Sequence, residues 1–172
     1  MIKSFYKTGL YFVCCVAIQV LILNNIHLFR IATPFLYLYV IVKIPANISR
    51  SPTILISFFL GITMDIFFNT SGMHAAACTL AGMFRTPILD SFSGKELLED
   101  ASPSYRTLGI SAFMKYATLL VTIHHIALFS IESVSLFDPV FLMTRIFACV
   151  FLTTFLVFIV EAFHIERKSG ES

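Results

Sequence analysis

Apolar residues in this chain come in long runs separated by short polar breaks, and run length is the first informative feature. A helix needs about 20 mostly apolar residues to cross a bilayer core, with a working range of about 17–25. Six segments meet or approach that length: 5–23, 31–48, 53–68, 73–89, 108–131 and 139–163. Gln19 interrupts the first near its far end. Pro34 sits in the opening turn of the second, where a missing N–H costs little, and Lys43 and Pro45 mark its exit or a kink. The segment 90–107 is the one substantial hydrophilic stretch. Within it Ser93-Gly94-Lys95-Glu96 fits a capping box, which predicts a short helix over Lys95–Ala101 stopped at Ser102-Pro103. That stretch suits either a solvated linker or a docking element for a cytoplasmic partner. The pattern as a whole predicts an all-α integral membrane protein, a six-transmembrane-helix bundle forming a single domain over residues 1–172.

Composition points the same way. Of 172 residues, 58% are hydrophobic and 13% charged, where soluble domains carry roughly 45–50% and about 25%. Charge that sparse does not coat a water-soluble globule. The 19 Phe and 6 Tyr exclude a solvated, disordered coil. Cys14, Cys15, Cys78 and Cys149 lie inside apolar runs, where they suit packing better than a disulfide framework. Nothing matches a phosphate-cradling loop, and no Ser/His/Asp or Cys/His arrangement sets a nucleophile beside a base. We therefore expect no enzyme, no cofactor, no metal, no nucleic-acid partner and no soluble substrate.

Basic residues set the expected direction of the spans. With the N-terminus in the cytoplasm, the inner side collects Lys3, Lys7, Lys43, Arg50, Arg85, Lys95, Arg106, Arg167 and Lys168, and the outer side Arg30 alone. Both termini are then cytoplasmic. The first span begins like a signal peptide, but Leu23-Asn24-Asn25-Ile26 lacks the small residues a signal peptidase needs, so a retained helix is expected.

Ionisable groups inside spans cost about 2.5–3.5 kcal/mol each on insertion scales, so each needs an account. Counting depth at about 1.5 Å per residue puts Asp65, His74, His124, His125 and Arg145 in the outer leaflet, roughly 4–11 Å below its boundary. Lys115 and Glu161 lie deeper or nearer the cytoplasm. Three uses of the outer cluster stay open: an Asp65–Arg145 pair that fixes helix register, a cavity or proton relay for a small polar ligand, and a metal site. Adjacent histidines on a helix point about 100° apart, which disfavours the metal. Small residues between Gly61 and Gly82 predict a tight antiparallel hairpin of spans three and four. The phenylalanines at 147, 151, 155 and 158 are expected to face lipid or a partner.

That hairpin carries a resemblance. Phe59-Leu60-Gly61-Ile62-Thr63-Met64-Asp65, followed by Asn69-Thr70-Ser71-Gly72-Met73-His74-Ala75, resembles the central signature of the rod shape-determining MreD family. Gln19-Val20-Leu21 and Pro34 also look like that family's opening, whereas Lys115, His124 and His125 have no counterpart in it. The resemblance implies motif positions at Gly61, Asp65, Asn69, Gly72 and His74. It also implies a non-enzymatic scaffold of the cell-wall elongation machinery in the bacterial cytoplasmic (inner) membrane. The implied partners are a single-span MreC-like protein and, beside it, MreB, RodA and a penicillin-binding transpeptidase. The architecture also looks like the substrate-binding S components of energy-coupling-factor transporters. A small-molecule (vitamin-like) binding subunit is therefore the alternative function.

Overall fold

The structure is a computed structural model and describes residues 2–25, 32–93, 101–133 and 138–169. Every regular element among them is helical. In chain order these are α1 (Ile2–Leu21), a 3-10 turn (Leu23–Asn25), α2 (Leu38–Lys43), α3 (Arg50–Phe68), α4 (Met73–Ser93), α5 (Tyr105–Leu108), α6 (Ile110–Glu132) and α7 (Pro139–Ser169). Among the described residues three helices are long and apolar enough to cross a membrane: Arg50–Phe68, Ile110–Glu132 and Pro139–Phe163. Residues 94–100, on which the expected Ser93–Glu96 box and most of the Lys95–Ala101 helix fall, lie outside the described residues. A capping box stands instead at Ser104, whose hydroxyl accepts from the Thr107 backbone N–H and opens α5.

The bundle is apolar outside and polar within, as suits a hydrocarbon solvent. Phe147, Phe151 and Phe155 on α7 and Phe59, Ile66 and Phe67 on α3 are exposed, while Gln19, Lys43, Asp65, His74, Arg85, His124, His125 and Glu161 are buried. Phe158 departs from the expected outward row and packs partly buried against the core. The middle of the bundle belongs to α4, which packs chiefly against α3 and α6, and α7 covers the far side of α6. Shielded by protein on two sides, α4 tolerates Arg85 and a run of small residues that a lipid-facing helix would not. Two glycines set its contact with α3. A Cβ at Gly61 would stand 2.4 Å from Ala75 Cα, and one at Gly82 would stand 2.4 Å from Ser57 Oγ. The expected tight hairpin is present, closed by Asn69 in the left-handed conformation (φ 54°) as the C-cap of α3.

The second expected span is corrected. Of the described residues 32–48, only Leu38–Lys43 is α-helical, and the flanking backbone is irregular yet mostly buried. Pro34 and Pro45 explain why a full helix does not form, since each lacks an N–H and disfavours helical geometry before it. Irregular backbone at membrane depth is tolerated only where protein satisfies it, and here four side chains do so. Gln19 Nε2 donates to Pro34 O (3.0 Å), and the Leu36 N–H donates back to Gln19 Oε1 (2.7 Å). The Phe35 N–H donates to Thr153 Oγ1 (3.1 Å). Beyond α2, Tyr116 donates to Val42 O (3.1 Å) and the Arg85 guanidinium to Ile44 O. The segment's own Lys43 donates to Pro103 O (2.8 Å) and pairs with Glu161 (3.1 Å), which also accepts from Tyr39 (2.7 Å). Lys43 and Arg85 are thus interior groups rather than flanking surface charges. Removing them leaves seven basic residues against one in the orientation count, the same asymmetry on a smaller base.

Two substitutions test this account. Gln19→Leu makes α1 more apolar yet lowers stability, by about 1–3 kcal/mol for each of the two backbone groups it orphans; unfolding in detergent titrated with denaturant measures it. Lys43→Met destabilises by about 3–5 kcal/mol because it strands the Glu161 charge, and adding Glu161→Leu recovers most of the loss. A double variant no better than Lys43→Met would contradict the pairing.

Candidate functional site

The site is built where α3 turns into α4. Gly72, with φ at 83°, precedes the first residue of α4 and has no side chain with which to cap it. The cap comes instead from Asp65, one turn back on α3. Its Oδ1 accepts from the His74 N–H (3.0 Å) and the Thr70 hydroxyl (2.5 Å), and its Oδ2 accepts from the Ala75 N–H (2.8 Å). A carboxylate on the free N–H groups of a helix N-terminus is favoured by charge-assisted hydrogen bonding and by the helix dipole. The Asp65 carbonyl also receives the N–H groups of Asn69 and Thr70. Gly61, Asp65, Asn69, Gly72 and His74 thereby meet in one junction.

The expected Asp65–Arg145 pair is absent. Arg145 Nη1 instead pairs with Glu132 at 2.8 Å, and its guanidinium lies 4.4 Å from the Phe129 ring centroid. The reason is azimuth rather than depth: α4 and α6 stand between α3 and α7. The pair is partly open, with Arg145 32% and Glu132 39% exposed.

His74 is the hinge between this junction and the interior. Its ring stacks on Phe68 (4.8 Å, 30°) and its Nδ1 meets the Tyr37 hydroxyl at 2.8 Å. The same hydroxyl meets His124 Nε2 at 3.1 Å, so Tyr37 bridges two buried imidazoles from α4 and α6. His124 Nδ1 is buried and has no partner among the described residues. His125 belongs to a separate chain. Its Nδ1 donates to Val121 O (2.8 Å), which leaves Nε2 to accept from Thr153 (3.4 Å), whose oxygen already accepts from Phe35. The structure thus gathers Asp65, His74 and His124, places His125 alongside them (5.4 Å between the two adjacent imidazole centroids), and turns Arg145 away toward Glu132. Lys115 is exposed on the outer face of α6, and Glu161 lies with Lys43. No group of three or more His, Cys, Asp or Glu among the described residues is arranged to hold a metal.

Above His74 lies a cleft of about 370 Å³, framed by the α3–α4 turn, the end of α6 and the start of α7. Phe35, Phe68 and His74 line its inner part, and Glu132, Arg145 and Phe141 its rim. Sequence reasoning missed Tyr37 and Glu132. Tyr37 sits in an otherwise apolar stretch between two prolines, so an interior hydroxyl there carries no local signal; Glu132 looks like an ordinary charge ending a span.

Asp65→Asn keeps an acceptor but puts an amide N–H against donors, so it should destabilise by about 1.5–3 kcal/mol. The exchange Asp65→Arg with Arg145→Asp should fall below Asp65→Asn rather than recover it. Thermal unfolding in detergent ranks the three, and recovery by the exchange would restore the discarded pair. Comparison with known proteins yields no match: no family model, no curated protein and no solved structure matches the chain.

Proposed function

We propose that this chain is a non-enzymatic, multi-pass scaffold of the bacterial inner membrane, of the MreD kind, serving the cell-wall elongation machinery and cell shape. The observation that carries the proposal is the α3–α4 junction, where each of the five positions of the resembling signature has a distinct structural task. Asp65 caps, Gly61 admits α4, Asn69 ends α3, Gly72 turns the chain, and His74 joins the junction to the core. In this proposal the six apolar segments all lie in the membrane, both termini are cytoplasmic, and the cleft opens outward. The segment 31–48 contributes as a broken, protein-shielded element.

A docking place for a single-span MreC-like partner follows from the surface. Between α1 and α3 runs an open apolar groove of about 350 Å³ lined by Thr8, Gly9, Phe12, Val13, Ile56 and Phe59. A Cβ at Gly9 would touch nothing within 4 Å. Gly9→Leu should therefore leave the fold intact while filling the groove with a bulky side chain. Co-expression with a tagged single-span partner is expected to yield a detergent-stable complex that Gly9→Leu abolishes at unchanged expression. A complex that survives Gly9→Leu removes the groove as the docking place, and no complex at all removes the scaffold proposal. The cleft favours a second proposal, a vitamin-like small-molecule binding subunit of an energy-coupling-factor transporter, whose mark would be a stoichiometric soluble ligand.

A further inference from the structure

The cleft has a chemistry of its own. Its rim holds one cation and one anion, Arg145 and Glu132, and both are partly accessible, at 32% and 39%. An ion pair that exposed contributes little to stability, so a ligand able to satisfy both charges can open it at little cost. A simple anion would meet Glu132, and a simple cation would meet Arg145. A ligand bearing both charges meets neither conflict.

The inner end of the cleft adds a donor. In a neutral imidazole one ring nitrogen donates and the other accepts. The Tyr37 hydroxyl bridges His74 Nδ1 and His124 Nε2, so the hydrogen bonds of this chain run one way or the other as a unit. One direction leaves His124 Nδ1 as a buried N–H without a partner, and the other leaves it as a bare lone pair. A buried, unpaired N–H is the rarer kind of orphan. The second direction has Tyr37 donate to His74 Nδ1, which puts the proton of His74 on Nε2, the nitrogen left for the cleft. The His125 chain offers no such choice, since a carbonyl fixes its one end and a backbone N–H the other. The cleft therefore combines an imidazole N–H within, a guanidinium and a carboxylate at the rim, and phenylalanine walls.

From this geometry we infer that the cleft binds a zwitterion, with its phosphate or carboxylate held by Arg145 and His74 Nε2–H and its ammonium held by Glu132. The ammonium must carry N–H groups, because Glu132 replaces its charge-assisted bond to Arg145 only with a donor. Two sources offer this chemistry: the headgroup of phosphatidylethanolamine, whose chains would follow the exposed apolar face of α7, and a free amino acid or phosphoethanolamine. Binding also fixes the direction of the His74–Tyr37–His124 chain, since the oxyanion accepts from the nitrogen at its outer end. The first source is compatible with a scaffold, and the second belongs to a ligand-carrying subunit.

Native mass spectrometry of the full chain released from nanodiscs of mixed dioleoyl phosphatidylethanolamine and phosphatidylglycerol tests the inference. We expect one phosphatidylethanolamine retained per chain in preference to phosphatidylglycerol, with retention lowered roughly tenfold or more by Glu132→Gln and by Arg145→Gln. A parallel titration of free phosphoethanolamine into protein in pure phosphatidylglycerol nanodiscs separates the sources: saturable binding there assigns the soluble one. Both variants should melt with the parent; where one does not, Arg145→Lys, which keeps the charge and loses the guanidinium fork, gives the same comparison. Equal retention of the two lipids with no binding of phosphoethanolamine, or zwitterion binding indifferent to both rim substitutions, overturns the inference.

Discussion

The fold depends on one constraint: a stretch of irregular backbone lies inside an apolar bundle, and its polar groups must find partners in the protein. Residues 32–48 enter between helices with two prolines and only six residues of α-helix. In hydrocarbon an unpaired peptide group costs several kcal/mol, because no water replaces the missing bond. The surrounding helices respond with side chains aimed at main-chain atoms: Gln19 from α1, Arg85 from α4, Tyr116 from α6 and Thr153 from α7. Four helices are thereby tied to one segment by directional bonds rather than by packing alone. Polar residues that look expensive one at a time form a set whose members answer a shared need.

The same segment organises the two ends of the molecule differently. Toward the α3–α4 turn it delivers Phe35 and Tyr37, which pack among imidazoles and join His74 to His124. Toward the other end it delivers Tyr39 and Lys43, which together occupy Glu161. That second cluster is closed: the lysine has a carboxylate and a carbonyl, and the carboxylate has a lysine and a hydroxyl. The first cluster opens into a cleft and ends in a nitrogen without a partner among the described residues. A closed polar cluster fixes register, whereas an open one leaves hydrogen-bonding capacity for something else.

How much of this was legible in the sequence varies by element and for identifiable reasons. Apolar run length located α1, α3, α4, α6 and α7 to within a few residues, because length and hydropathy are one-dimensional properties. The hairpin was legible as well, since small residues on both sides of a four-residue turn leave few alternatives. The 31–48 segment was not, because an apolar run between prolines looks the same whether it forms one helix or a shielded, broken strap. Depth along a helix could be counted, and it put Asp65 and Arg145 in the same leaflet. Which way a residue faces depends on helix order around the bundle, and two helices separate that pair. Gln19 shows the same limit: its position was visible, but its partners lie on the irregular 32–48 segment, whose path the sequence does not state.

A distinction among the buried polar groups follows, and it bears on function. Asp65, Gln19, Lys43 and Glu161 each have their hydrogen bonds directed at named atoms, so their chemistry is consumed by the fold. Tyr37 differs, because one hydroxyl serves two rings and the direction of its bonds is not set by either. His74 inherits that freedom, sits against the cleft, and is bonded through its own backbone N–H to Asp65. A residue that the hairpin holds by its main chain is therefore one whose ring keeps a nitrogen for the cleft. A rigid backbone carrying a ring whose outer nitrogen is left for the cleft is what a binding surface requires, since the geometry is set before a ligand arrives. In a bundle whose outer face is apolar and whose polar groups are buried, the functional surface is to be sought where the interior's hydrogen bonding is left unfinished.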